Sequence, residues 1–190
     1  MSDFLKKFKE KYYPYLNHRS ETFNKMFEYL DSLKRDKYLI VETGTTRIKG
    51  NWDDGNSTIM FDEYCRINNG VNYTIDINPN CCEIARKYTS NNTIVCLNDS
   101  VKFLQSFKNP EDIDLLYLDS FDVNWNDPHP SSLHHLKELC SVYAKLKSGC
   151  LIVVDDNKND KGKGKYVKEY LNNVGDKLLF DEYQIGYIKK

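Results

Sequence analysis

Five short apolar runs in this sequence stop on acids. YLIVE ends at Glu42, NYTIDI contains Asp76, NTIVCLN runs into Asp99, DLLYLDS contains Asp119, and CLIVVDD ends on Asp155 and Asp156. An ionised carboxylate only accepts hydrogen bonds, so such acids suit hydroxyl pairs, amino groups and cations. An acid at a single strand end is as readily the cap of the next helix. Acids at successive ends make that local explanation much weaker and point to a shared binding edge.

The elements that must position these acids are legible from periodicity. The runs are too short for helices and rich in β-branched and aromatic residues, as strands are. Two more runs follow, KLLF at 177–180 and QIGYIK at 184–189. Helical segments fill 57–68, 79–88, 100–107, 131–147 and 163–173 between the runs. The alternation predicts an α/β, Rossmann-like, doubly wound and mainly parallel seven-stranded sheet. A short Asp-Glu connection joins the last two runs, so the sheet ends in a C-terminal antiparallel hairpin. Upstream, residues 3–16 have helical spacing until Pro14. Ser20 reads as the N-cap of a second helix, with Phe23, Met26, Phe27, Leu30 and Leu33 on one face. The expectation is a single domain over 1–190, with an N-terminal helical cover over 1–36 and the core over 37–190. In open sheets of this kind ligands bind outside the carboxyl ends of the strands, near the switch in strand order. That is where the acids fall.

Composition bounds the function. The 190 residues suit one domain with a full core. With 40% hydrophobic and 29% charged residues, the chain is an ordinary soluble globular protein. A net charge of -1 provides no global basic field, which makes a nucleic-acid partner unlikely. No apolar run approaches membrane-spanning length, and MSDFLKKFKEKYY lacks the apolar stretch of a secretory signal, so no membrane partner is expected. The 6 cysteines are scattered without a CxxC pair, which predicts reduced thiols and a cytoplasmic protein.

The turn after the first run narrows the ligand. At Gly44 the backbone can approach a ligand with no Cβ in the way, and Thr45 and Thr46 add hydroxyls and amide donors. The loop that follows is longer than a tight glycine turn, and Gly55 with Asn56 and Ser57 offers a second close approach at a helix start. GxGxxG is absent, since Gly44 is followed by Thr-Thr-Arg, and so is the P-loop; NAD and ATP are disfavoured. Asp76 stands where an acid grips ribose hydroxyls in nucleotide-binding sheets. Asp99 and Ser100 stand where an adenine amino group could be read, and Asp99 equally suits a helix cap.

Taken in order, ETGTTR, YTIDINP, LNDS, IDLLYLDS and SGCLIVVDD resemble the motifs of class I S-adenosylmethionine-dependent methyltransferases, over about 38–190. The resemblance implies a seven-stranded sheet ending in a reversed hairpin, the arrangement read above from the runs alone. It implies that Glu42, Gly44 and Thr45 contact the methionine part of S-adenosylmethionine. Asp76, with Ile77 beside it, would hold the ribose, and Asp99 and Ser100 the adenine. The family often has further glycines after the first; here Thr45, Thr46 and Arg47 follow. Thr46, Ser57 and Thr58 would complete the cradle of the cofactor carboxylate.

The fourth and fifth strand ends resemble the metal ligands of catechol-type and macrocin-type O-methyltransferases. By that resemblance Asp119, Asp155 and Asp156 hold a divalent metal such as Mg²⁺, and Asp119 also borders the cofactor. Such an ion keeps waters, orients neighbouring hydroxyls and lowers the pKa of the one attacked. Without a metal, Asp155 and Asp156 would bond loop amides; with a register slip, Asn157 would replace Asp155. Asp119, His134 and His135 are the candidate catalytic residues, the histidines as general bases, with His129 a further candidate base. His135 falls beside the apolar stripe of Leu136, Leu139, Tyr143 and Leu146, and His134 points outward in line with Glu138. His18 and Arg19 could reach over the site from the cover. Trp52, Phe121 and Trp125 follow strand ends, either to stack on substrate or to pack over loops. KNDKGKGK reads as a solvated flexible loop that could serve as a lid for an anionic substrate.

The function expected is O-methyl transfer to a hydroxyl of a sugar, glycan precursor or other small polar molecule. The aromatic N-terminal segment could cover the site or pair with another copy in a homodimer. Base methylation is disfavoured because DSFD replaces the Asn/Asp-Pro-Pro-Tyr element after the fourth strand. RNA or protein methylation and a non-catalytic binding module on the same fold are the alternatives, while a sugar-modifying dehydrogenase lacks its fingerprint.

Overall fold

The structure, a computed structural model, describes residues 1–52, 56–158 and 161–190. The close approach expected at Gly55 lies outside the described residues. The strands are β1 (Tyr38–Thr43), β2 (Gly70–Asp76), β3 (Thr93–Leu97), β4 (Leu115–Leu118), β5 (Leu151–Val154), β6 (Asn157–Lys158), β7 (Lys161–Gly162), β8 (Lys177–Asp181) and β9 (Ile185–Ile188). The helices are α1 (Asp3–Lys11), α2 (Ser20–Ser32), α3 (Ser57–Ile67), α4 (Pro79–Tyr88), α5 (Ser100–Ser106), α6 (His129–Val142) and α7 (Lys165–Val174).

Seven strands form one sheet in the order β3-β2-β1-β4-β5-β9-β8. Neighbours among β1 to β5 are parallel, and β9 runs antiparallel to both β5 and β8. The chain winds outward from β1 to β3 and then returns to the other side of β1 at β4. That reversal opens the crevice above the β1–β4 boundary, as expected for a doubly wound sheet. Each run expected to be a strand is one, so the fold class follows the sequence reading.

Alternation along the strands sends side chains to two cores. On one face Ile40, Tyr117 and Val153 meet α1, α2 and α3. Phe4 and Phe8 of α1 and Phe23 and Phe27 of α2 pack with Phe61 and Tyr64 of α3, with the Phe4 and Phe27 ring centroids 4.6 Å apart. Each such pair contributes about 0.5–1.5 kcal/mol beyond its area burial. The N-terminal cover is therefore built into the core beneath the sheet edge that carries the acids. On the other face Val41, Leu116, Leu118 and Ile152 meet Leu139 of α6 and Leu171 of α7.

Three local expectations are corrected. Ser20 is the first residue of α2 and not its cap; its Oγ donates to the Tyr13 and Asn17 carbonyls at 2.8 and 3.0 Å, tying the helix to the turns before it. Neither Ser131 nor Ser132 caps α6, which starts at His129 after Pro128. Their hydroxyls instead donate to the carbonyls of Phe121 and Gly162, fastening two loops to the helix. The described part of the lysine-rich segment is not wholly a solvated loop: β6 pairs with β7 as a short antiparallel ribbon with Lys158 and Lys161 exposed, and Lys163 after it is buried.

Candidate active site

The turn leaving β1 forms one wall of the crevice. Gly44 adopts φ +81°, and a Cβ there would stand 2.6 Å from the Asp119 carbonyl oxygen. Only glycine allows this approach of β1 to β4. Its amide donates to the Ile75 carbonyl at 2.7 Å, and Thr74 Oγ1 donates to its carbonyl at 3.0 Å. Thr58, at the start of α3, accepts from the Thr46 amide at 3.0 Å and lies 3.3 Å from Thr45 Oγ1. Ser57 donates to Glu42 Oε1 at 2.5 Å. Glu42 is buried at the end of β1, and burial pushes its carboxyl up to about 7, against the pull of Ser57 and the neighbouring hydroxyls. Glu42 Oε2 and Thr46 Oγ1 are buried without a hydrogen-bond partner among the described residues.

Beyond the turn, Asp76 at the end of β2 accepts from the Asn78 amide at 2.7 Å and the Thr45 amide at 3.3 Å. Ile77 next to it is 72% exposed, an apolar face beside the cleft. Asp99 caps α5 through the Lys102 amide at 2.9 Å, and Ser100 Oγ lies 3.2 Å from His134 Nε2. The cleft lined by Gly44, Thr45, Ser57, Asp76 and Asp119 has a volume of about 180 Å³. Arg47 and Asp122, a bidentate pair at 2.8 Å, stand at its rim. A larger cavity of about 760 Å³ lies at the opposite strand ends, around Arg35, Tyr38 and Phe107, away from every acid discussed here.

Asp119, Asp155 and Asp156 converge above β4 and β5, with ligand atoms within 4.8 Å of one another. Two cations are already seated among them. Arg19, from the turn before α2, donates through Nε to both Asp155 oxygens at 2.9 and 3.0 Å and through Nη2 to Asp156 at 2.8 Å. Lys163 Nζ donates to Asp119 and lies 3.0 Å from Asp156 Oδ2. The Lys163 side chain is 1% exposed. Burial disfavours both charged groups, but the carboxylates outweigh it and hold Arg19 and Lys163 protonated. Burial, aided by Asp155 and Asp156, pushes the Asp119 carboxyl above its ordinary range against the pull of Lys163. Asp156 is held low, since Lys163 and Arg19 outweigh its burial. The spacing of the acids suits a divalent ion. With Lys163 between Asp119 and Asp156, however, such an ion does not fit this arrangement.

The candidate bases lie elsewhere. His135 is completely buried, its Nδ1 is 2.7 Å from the Ser131 carbonyl, and burial lowers its pKa to about 4. It offers no atom to a substrate in this conformation. His134 joins Ser100 and Glu138, at the adenine end expected for the cleft. His129 is bonded to Tyr166. Asn157 turns towards Asp181 and the Glu182 carbonyl, so it does not replace Asp155. Trp52 packs on Tyr12 and Tyr15 of the cover, whereas Phe121 and Trp125 are 46% and 44% exposed. Arg19 does reach over the site, as its position before α2 allowed. Lys163 was not singled out from sequence, and Glu138, expected on the outward side with His134, is completely buried. The only available hint for Lys163 was that two glycines flank it.

Comparison of the sequence with protein-family models and with curated proteins gives no match. Solved structures do match in fold. The methyltransferase MycE of mycinamycin biosynthesis, in complex with Mg and SAH, superposes with a TM-score of 0.62 at 13% identity, over 90% of this chain and 49% of MycE. The chain thus spans about half the length of MycE. The calicheamicin enzyme CalS11, a TDP-rhamnose 3'-O-methyltransferase, gives 0.59 at 12% identity over 96% of this chain and 86% of its own. The O-methyltransferase NovP gives 0.56 at 13% identity, over 95% of this chain and 78% of its own. The sheet order, the reversed C-terminal hairpin and these superpositions together give the chain the Rossmann-like fold of methyltransferases.

Proposed function

We propose that the chain is an S-adenosylmethionine-dependent O-methyltransferase acting on a hydroxyl of a sugar or other small polar molecule. One observation carries this reading: the cleft at the ends of β1 and β2 and the acid cluster at the ends of β4 and β5 share Asp119. A donor bound in the first would meet an acceptor bound at the second. The cleft suits the cofactor in kind. By this reading Glu42 Oε2, which has no partner among the described residues, would accept from an amino group, Asp76 would accept from ribose hydroxyls, and Ile77 and Ser100 would border the adenine. When bound, S-adenosylmethionine supplies an electrophilic methyl group on a sulfonium sulfur.

The chain's own residues then position and deprotonate. Asp119, which lines the cleft and belongs to the acid cluster, is the group this reading assigns to take the acceptor's hydroxyl proton. Holding the acceptor oxygen in line with the methyl group supplies much of the acceleration. CalS11 and NovP, by their names, support oxygen as the atom methylated and CalS11 a sugar as the acceptor. The Mg found with MycE supports a divalent ion at Asp119, Asp155 and Asp156 as a second reading; the seated Lys163 speaks against it.

Calorimetric titration with S-adenosylhomocysteine, first with Mg²⁺ and then with EDTA, tests the proposal. Micromolar binding in both conditions is the expected result, followed by mass-spectrometric detection of methyl transfer to a panel of nucleotide sugars. No binding in either condition would leave a non-catalytic module on this fold.

A further inference from the structure

The ribbon that follows the acid pair is built around one lysine. Lys158 and Lys161 are exposed, yet Lys163 is turned inward and buried. Its backbone is fixed: the Lys163 amide donates to the Asp156 carbonyl at 3.1 Å, and Ser132 of α6 donates to the Gly162 carbonyl. Gly162 is required by a backbone contact, and Gly164 sits tightly against a side chain. At Gly162, with φ +107°, a Cβ would stand 2.0 Å from the Asp156 carbonyl oxygen, and at Gly164 it would stand 2.7 Å from Ile185 Cδ1. Asp156 itself adopts φ +48°, a left-handed turn conformation that aspartate tolerates better than most non-glycine residues. This turn brings an ammonium between Asp119 and Asp156, and Arg19 covers the remaining oxygens of Asp155 and Asp156.

We propose that Lys163 is the resident cation of the acid cluster, standing where a divalent metal would otherwise bind, so that the site works without a metal. On the methyltransferase reading, the buried Lys163 would hold Asp119 in position beside the acceptor without touching the acceptor itself; its occupancy of the cluster does not rest on that reading. The guanidinium and the ammonium offset most of the cluster's negative charge, and a dication entering between Asp119 and Asp156 would have to displace the ammonium. Removing the ammonium would restore an acid site with its attraction for hard cations.

The test is binding of Mn²⁺ alone, read by electron paramagnetic resonance, to the full chain and to Lys163→Met. The methionine keeps the unbranched stem, one atom shorter, and removes the charge. The expected result is that Lys163→Met binds one Mn²⁺ at least about a hundredfold more tightly than the wild type. Repulsion between charges about 4 Å apart is large enough for that. Adding Asp119→Asn should remove the gain. Equal affinity in the two proteins, or no binding by Lys163→Met, would overturn the proposal. Should Lys163→Met fail to fold, reductive methylation of the wild type decides. Lys163 should stay protected with and without Mn²⁺ while Lys158 and Lys161 react; its exposure on adding Mn²⁺ would overturn the proposal. Titration of the same wild-type preparation with S-adenosylhomocysteine tests the methyltransferase reading separately.

Discussion

Asp76 and Asp119 lie on the same cleft but on different strands, and the proposed function gives them different work. Replacing Asp76 with alanine removes the acceptor for ribose hydroxyls. Bonds to a charged group are worth about 1.5–3 kcal/mol, so affinity for S-adenosylhomocysteine should fall about 10- to 100-fold. Asp119→Ala should keep most of that affinity and lose turnover. Equal loss of affinity in both variants, measured by calorimetry, would refute the division. The acids were legible in the sequence because each terminates an apolar run. Lys163 was not, since its two flanking glycines mark a turn without showing that the lysine between them faces inward.

At the scale of elements, the cover and the first turn hold the site in shape. Phe27 of α2 touches Phe4 and Phe8 of α1 and Phe61 and Tyr64 of α3. Phe27→Ala should destabilise the fold by about 3–5 kcal/mol in urea titration, the usual cost of emptying a buried aromatic site. A loss below 1 kcal/mol, within the scatter of surface changes, would mean that the cover is not part of the core. Gly44→Ala adds a Cβ against the Asp119 carbonyl and forces alanine into left-handed backbone. It should lower stability by at least about 1–2 kcal/mol and weaken cofactor binding, since β1 and β4 must part. The strands and most helices were legible from period and length. The serines at 20, 131 and 132 misled because a hydroxyl near a helix start suits a cap and a loop tether equally well.

Across the whole molecule, two buried groups give stability opposite slopes with pH. Glu42 titrates near 4.5 when unfolded and about 7 when folded, so its contribution is full below pH 4.5 and is lost as pH rises through 7. His135 titrates near 6.5 when unfolded and about 4 when folded, so its contribution is full above pH 6.5 and is lost as pH falls through 4. Each amounts to about 3 kcal/mol by the usual conversion, and in the wild type the two oppose each other. Glu42→Gln should therefore expose a loss of stability on acidification from pH 6.5 to 4. His135→Asn should expose a loss on raising pH from 4.5 to 7. Denaturation midpoints across that range check both, and unchanged slopes in either variant would show that the group is not buried as described.

The sequence by itself determined the strand runs, their alternation with helices, the closing hairpin and the acid at each strand end. These are local: periods of two and 3.6 and the lengths of connections can be read along a chain. Only the tertiary structure decided what neutralises the acids. Arg19 and Lys163 lie far apart in the chain and on opposite sides of the core strands in sequence, and no local pattern tells which acid either one meets. The packing of the cover brings one to Asp155, and a ribbon tightened by Gly162 and Gly164 brings the other to Asp119. Buried charges settle with whatever partner the fold places in reach, and that placement is a property of the packed chain.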